Sequence, residues 1–236
     1  MSEGEDIFEI HPEVLDDTEL LYELIYNNTE QHYYWTLNYS ADFYIKLARA
    51  GFITVSFTFL DEFYFIPEIQ YDYAILDFKD LHIERNVKKL LKNNHYIFEI
   101  NYSIAEIIDG IEKQHEPSWM KNQYRDLMLE LYSMDRHDFK LITAAILDKE
   151  TEVAVAGEVG YITGKVYTSL SGFSIREKKY KNYGKLQLVL LAKYLEEIGM
   201  HFWNLGHTKM QYKIDLGAKI YTRKEFLERW ISAVYL

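Results

Sequence analysis

The sequence predicts an α+β fold: a mixed, largely antiparallel sheet with packed helices, preceded by a smaller N-terminal domain. Three observations predict it. Of the 236 residues, 48% are hydrophobic, with no long linker, repeat or low-complexity stretch, so a sizeable core is available. From about residue 80 onward, segments of helical period mix with short alternating strands. Between residues 140 and 205 three antiparallel strands precede a long apolar helix and then one more strand.

The elements follow in order. Residues 8–30 read as a helix, with Val14, Leu15, Leu20, Leu21, Leu24 and Ile25 at helical spacing. Ser40 caps a helix over 41–50 that Gly51 stops. Residues 53–59 alternate as a strand, and a second strand is expected around 73–78. A helix over 81–92 ends at Asn93-Asn94, a strand covers 96–102, and helices cover 104–113 and 120–132 with Pro117 between them. Strands over 140–148, 152–161 and 165–175 are joined in part by the Thr163-Gly164 turn. The strongly apolar helix 186–198 closes at Gly199, a short strand covers 201–205, and helices near 209–216 and 224–236 finish the chain. The expected organisation is an acidic N-terminal domain over 1–78 and a core over 79–236.

Charge divides along nearly the same line. The chain carries −11, but residues 1–80 hold −14 and residues 81–236 hold +3. Two parts of such opposite balance suit different partners, one basic and one anionic. The absence of cysteine excludes a disulfide scaffold, a thiolate metal site and a cysteine nucleophile. The eight histidines are scattered without an H-E-x-x-H, so no metal is expected. The acidic stretch Met1–Asp6 lacks the basic start and apolar run of a signal peptide, and no apolar run is long enough to span a membrane. A cytoplasmic protein off the membrane, acting as a monomer, is the expectation.

Several residues carry candidate chemistry. Arg85, Lys88, Lys89 and Lys92 recur at spacings of three and four, forming one cationic stripe on a helix whose other side holds Val87, Leu90 and Leu91. A second basic run, Arg176, Lys178, Lys179, Lys181 and Lys185, precedes and opens the apolar helix, where unpaired N–H groups favour an anion. Glu158 stands among small residues in its strand, and His207 lies just past the strand at 201–205. Tyr167, Ser169 and Ser171 alternate onto one face by the strand period of two, with Phe173 beside them.

The order of elements from 140 to 205 resembles the acetyltransferase-like (GNAT) fold. The Gly-rich pyrophosphate loop of a CoA-using GNAT is only a trace here: Tyr180-Lys181-Asn182-Tyr183-Gly184-Lys185 has one glycine, and Leu186 takes the place of the second. Longer stretches resemble the leucyl/phenylalanyl-tRNA–protein transferases. Asp42 to Phe52 is similar to that family's helix ending in R-x-G-(I/L/Y)-F. Leu81-His82-Ile83-Glu84-Arg85-Asn86-Val87-Lys88-Lys89 is similar to L-H-(I/V)-S-R-S-(L/M)-(R/K)-(R/K), and Ser118-Trp119-Met120 to T-W-I. Asp215-Leu216-Gly217-Ala218 with Ile220, Arg223, Phe226 and Leu227 resembles S-L-G-A-x-x-I-x-R-x-x-F-L, and its Leu-Gly-Ala core is the most specific match. Lys209-Met210-Gln211-Tyr212-Lys213 is similar to the K-M-x-Y-K stretch of arginyl-tRNA–protein transferases.

Departures accompany the resemblance. The family's W-W-S-P segment is replaced by Tyr71-Asp72-Tyr73-Ala74. Its E-S-M-F-S strand becomes Leu170-Ser171-Gly172-Phe173-Ser174, and its (I/L)-D-x-Q strand becomes Trp203-Asn204-Leu205-Gly206. Catalysis in the family is assigned to those acidic and amide positions, so the chain reads as a divergent member with donor choice or catalysis altered or lost. The resemblance implies transfer of an amino acid from charged tRNA to the N-terminal α-amine of a protein or peptide, with the aminoacyl-tRNA as co-substrate and no separate cofactor. It implies tRNA contacts at Arg85, Lys88, Lys89 and Lys92 and places Asn204 at the family's Asp position. From the residues themselves, Lys185 is expected to join the phosphate contacts, Glu158 and His207 are the further catalytic candidates, and Tyr167, Ser169, Leu170, Ser171 and Phe173 are expected to line the donor pocket. Loss of negative charge at 170 and 204 favours a neutral donor amino acid. Two alternatives stand beside it: an N-acetyltransferase using acetyl-CoA, and a catalytically inactive tRNA- or protein-binding homologue.

Overall fold

Ser40 opens the first long helix as its sequence predicts: its hydroxyl accepts from the Phe43 amide, and Gly51, at φ +90°, follows the helix end. The computed structural model describes residues 7–235, so the expectations for Met1–Asp6 and Leu236 lie outside the described residues. In chain order the elements are β1 (Phe8–Glu9), α1 (Pro12–Asp16), α2 (Thr18–Leu21), β2 (Tyr34–Trp35), α3 (Ala41–Arg49), β3 (Ile53–Phe59), β4 (Glu62–Glu68) and β5 (Asp72–Leu76). They continue as α4 (Arg85–Asn93), β6 (Tyr96–Ile100), α5 (Ile104–Gln114), α6 (Gln123–Ser133), β7 (Lys140–Asp148), β8 (Ala154–Thr163) and β9 (Val166–Ser174). The chain then forms α7 (Tyr183–Glu197), β10 (Phe202–Asn204), α8 (Gln211–Asp215), β11 (Lys219–Thr222) and α9 (Arg223–Val234).

Seven strands form the main sheet in the order β11-β5-β10-β9-β8-β7-β6. Every neighbouring pair is antiparallel except β9 and β10, which run parallel because α7 carries the chain back between them. The period of two decides what each face buries. Along β7, Leu141, Ala145 and Leu147 join a core with α3, α5 and α6, while Ile142, Ala144 and Ile146 join a core with α4 and α7. A third core gathers Ile25, Tyr26, Phe43, Leu47, Phe52, Tyr73, Phe202, Phe226 and Trp230. Burying an aromatic or aliphatic side chain of this size contributes about 1.5–3 kcal/mol.

Three expectations need correction. The long helix over 8–30 is instead β1, α1, α2 and a turn of π-helix over Tyr22–Tyr26. Asp17 causes the break: its carboxylate accepts from the Glu19 and Leu20 amides, restarting the helix at Thr18. Strands β4 and β11 were not foreseen, since their exposed or aromatic residues do not alternate cleanly, and pairing with β3 and β5 defines them. The stripe helix begins at Arg85 rather than Leu81.

The line expected at 78/79 falls after β5, which lies between β11 and β10 in the main sheet. All three cores likewise take residues from both sides of it. Among the described residues, no helix is long and apolar enough to cross a membrane.

Candidate active site

Strands β9 and β10 form a fork. Phe202–Asn204 pair with Val166–Thr168, but β9 continues to Ser174 paired with β8 alone. The chain leaves β10 toward β5 instead, because the Leu205 amide donates to the Ala74 carbonyl at 2.9 Å and the Ala74 amide to the Gly206 carbonyl at 2.8 Å. From Ser169 onward that edge of β9 carries no strand; its Gly172 carbonyl and Ser174 amide meet His115 and Gln114 at the end of α5, and Leu205-Gly206-His207 forms the other lip of the fork.

Glu158 sits at the base of this fork. It is 4% exposed, and its Oε1 accepts two hydrogen bonds of 2.9 Å, from the Tyr167 and Ser169 hydroxyls. Trp203 Nε1 donates to the Ser169 oxygen at 2.8 Å, fixing that hydroxyl toward the carboxylate. Gly160 leaves the space through which Tyr167 reaches across β8, since a Cβ there would lie 2.4 Å from the Tyr167 oxygen. Burial pushes the Glu158 carboxyl up to about 7; the Ser169, Tyr167 and Gln187 side chains and the charge of Lys213 pull in the opposite direction. A carboxyl that changes state near neutrality is suited to receiving and releasing one proton.

Lys213 completes the cluster from α8. It is 4% exposed, and its ammonium donates to the carbonyls of Leu205 at 2.5 Å and His207 at 2.7 Å. Burial lowers it to about 8, and the Glu158 charge partly offsets that. Tyr212 is pushed up to about 12 by burial and by Glu158. Neither residue was singled out as a site residue from sequence, although the K-M-x-Y-K stretch contained the signal.

The expected donor face divides in two. Gly160 pairs with Ser169 and Val159 with Ser171, so Leu170 has no partner and forms a bulge. That extra residue reverses the alternation. Tyr167 and Ser169 stay on the Glu158 face, whereas Ser171 pairs beside the buried Val159, Leu170 packs on the same core, and the Phe173 ring lies over Gly110 of α5. Leu170, Ser171 and Phe173 therefore do not line a common face with Tyr167 and Ser169.

Asn204 is buried, with its Oδ1 accepting from the Gly206 amide at 2.9 Å and its Nδ2 3.5 Å from the Thr168 hydroxyl. It shapes the lip of the fork. His207, on that lip, places Nε2 3.1 Å from the Glu68 carboxylate. On α4, Arg85, Lys88, Lys89 and Lys92 are all exposed, Val87 is buried, and Leu90 and Leu91 pack on the α7 core. Lys185 departs from the expected free cation. It is bound by Glu84 at the head of α4 and lies 3.9 Å from Asp215, so its charge ties α7 to α4. Among the described residues no group of three or more His, Asp or Glu is disposed to hold a metal ion.

Comparison with known proteins bears on this frame. The family model for leucyl/phenylalanyl-tRNA protein transferase matches residues 75–230. No curated protein matches the chain. The C-terminal domain of a putative lysylphosphatidylglycerol synthetase from Agrobacterium fabrum superposes with a TM-score of 0.51 at 13% identity, covering 87% of this chain and 72% of that one. FemX gives 0.47 at 10% identity over 64% of this chain and 60% of its own. A GCN5-related glucosamine N-acetyltransferase region of a fungal multi-domain β-N-acetylglucosaminidase gives 0.47 at 10%, covering 77% of this chain and 22% of that chain. The fold is α+β, with a mixed, mostly antiparallel sheet and packed helices. Through the match that runs from β5 to α9 and includes both arms of the fork, the chain belongs to the leucyl/phenylalanyl-tRNA protein transferase family.

Proposed function

We propose that this protein transfers an amino acid from a charged tRNA to the N-terminal α-amine of an acceptor protein or peptide. The observation that carries the reading is the buried Glu158 carboxyl, titrating near 7 at the base of the β9/β10 fork. The aminoacyl ester is already activated, so positioning and management of one proton are the main demands. The acceptor nitrogen attacks the ester carbonyl and the C–N bond forms. Ionised Glu158 takes the proton that nitrogen loses, and returns it to the ribose oxygen as the C–O bond breaks. Ser169 and Tyr167 orient the carboxylate throughout. The exposed stripe of α4 supplies phosphate contacts to the tRNA. The reaction as written calls on no metal or further cofactor.

The donor amino acid is neutral in this reading, because Leu170 and Asn204 stand where the family carries acidic residues, and Glu158 is committed to the two hydroxyls. The test is incubation with a mixed pool of charged tRNAs and peptides of varied first residue, followed by mass spectrometry. The expected product is a peptide heavier by one neutral amino acid, formed with free but not acetylated N-termini, at a rate that rises as pH passes through about 7. Absence of any transfer overturns the reading, and acetylation from acetyl-CoA in a parallel reaction replaces it.

A further inference from the structure

A second buried carboxylate stands on the opposite lip of the fork, outside the stretch that the family model matches. Glu68, the last residue of β4, is 4% exposed, and its Oε2 lies 3.1 Å from Nε2 of the half-exposed His207. Two residues further along, Gln70 is 2% exposed, and neither atom of its side-chain amide has a hydrogen-bond partner among the described residues. The amide lies beside the lip itself, since a Cβ on Gly206 would sit 3.7 Å from Gln70 Nε2.

This segment is firmly held. Arg223 donates to the carbonyls of Ile69 at 2.8 Å, Gln70 at 3.1 Å and Gln31 at 2.9 Å, and also to that of Asn28, while the Gln70 backbone N–H donates to the Tyr73 hydroxyl at 2.9 Å. The guanidinium is thus spent on backbone oxygens and does not hydrogen-bond Glu68. The charge of Arg223 still acts on Glu68, but the hydrogen-bonding contact of the carboxylate is to the half-exposed imidazole alone among the described residues. Such a carboxylate, with an unpartnered amide two residues on, is costly unless a ligand uses both. The ligand that does so is compact and cationic and carries several N–H donors.

We infer that Glu68 and Gln70 form the binding site for the α-ammonium group of the donor aminoacyl ester, with the His207 imidazole occupying that position in its absence. The inference rests on the aminoacyl-transfer reading and adds the point at which the donor is held. The donor is preferred over the acceptor on chemical grounds. An amine bound to a buried carboxylate stays protonated and cannot attack. That protects the donor's own amine from reacting, whereas the acceptor's amine must be neutral. The lip that carries His207 is the one whose Leu205 and His207 carbonyls Lys213 holds, and the charge of Glu158 acts on that same ammonium.

The test reads binding and needs no turnover. The probes are 3′-amino-3′-deoxyadenosine carrying alanine, leucine or phenylalanine in amide linkage, each with a free or an acetylated α-amine, titrated by calorimetry. At least one free-amine probe is expected to bind the wild-type protein ten or more times tighter than its acetylated form. Glu68→Gln brings that ratio to near one while leaving the acetylated probe unaffected. His207→Ala, at a half-exposed position tolerant of change, tightens the free-amine probe threefold or more by removing the competing imidazole. Equal binding of both forms to the wild-type protein overturns the inference, as does an unchanged ratio in Glu68→Gln or in His207→Ala. Free and acetylated tetrapeptides form the control arm. If Glu68→Gln abolishes discrimination between them rather than between the adenosine probes, the site belongs to the acceptor and the inference fails. Failure of the transfer reading is seen separately, as absence of product with charged tRNA.

Discussion

The Ser169 hydroxyl lies 2.9 Å from Glu158 Oε1, and Trp203 Nε1 holds that hydroxyl in place from the other side at 2.8 Å. Ser171, two residues along the same strand, is on the opposite face because Leu170 bulges between them. Two serines that a simple alternation would treat alike thus have different environments, and they give the first prediction. Ser169→Ala removes a hydrogen bond that favours the ionised carboxyl, so it raises the Glu158 pKa further. Ser171→Ala leaves it unchanged. NMR titration of the Glu158 carboxyl in both variants checks this, and equal shifts would contradict the bulge.

Glu158 also makes stability depend on pH. Its carboxyl is raised from 4.5 to about 7 in the folded chain, so between those values the folded protein binds the extra proton. Its contribution is full below about pH 4.5 and is lost as pH rises through about 7. Glu158→Gln, which keeps an oxygen for Tyr167 and Ser169, removes that loss. Relative to wild type it is expected to gain up to roughly 3 kcal/mol at pH 7.5 compared with pH 4.5. Lys213, lowered to about 8, acts in the other direction: stability recovers as pH rises from about 8 toward 10.5. Urea denaturation across this range provides the measurement, and parallel curves for the two proteins would refute the assignment.

The α4 stripe predicts a salt effect. Lys88, Lys89 and Lys92 are exposed and pair with no acid among the described residues. Replacing all three with alanine is expected to weaken tRNA binding and reduce the slope of log affinity against log salt by about 2 to 3, near one unit per lost phosphate contact. An unchanged slope in filter-binding assays would mean that the stripe is only a solvated face. Lys185→Ala is expected to change the slope little, because that charge is already neutralised by Glu84.

Gly217 predicts a loss of stability. It adopts φ +109°, and a Cβ there would lie 2.1 Å from the Asp80 carbonyl oxygen. Gly217→Ala is therefore expected to cost about 2–4 kcal/mol, combining backbone strain with a clash that backbone must absorb. Thermal melting measures it, and a melting temperature within a degree or so of wild type would rule out the packing described.

That same contact explains why two sequence motifs belong together. The His82 amide donates to the Leu216 carbonyl at 2.8 Å, and His82 Nδ1 lies 2.9 Å from the Asp215 carbonyl. The Leu81-His82 and Leu216-Gly217-Ala218 stretches, far apart in the chain, are two sides of one joint between α4 and α8.

By itself the sequence determined the elements whose signals are local: the Ser40 cap and Gly51 stop of α3, the strands β7 to β9, and the apolar period of α7. It also determined the cationic face of α4 and the candidacy of Glu158, since charge spacing and a lone carboxylate among small residues are visible without coordinates. The bulge at Leu170 was decided only by tertiary structure, because the offset is set by pairing with Gly160 and Val159 and leaves no mark in β9. So was the use of β5 in the main sheet, which depends on β10 and β11 arriving from more than a hundred residues later. Packing likewise decided which charges are free. Lys185 is neutralised by Glu84 and Lys213 is buried against two carbonyls, while Glu158 and Glu68 come to flank one fork because β10 parts from β9 after three residues. A side chain's charge is written in the sequence, but its desolvation and its partners are properties of the folded chain.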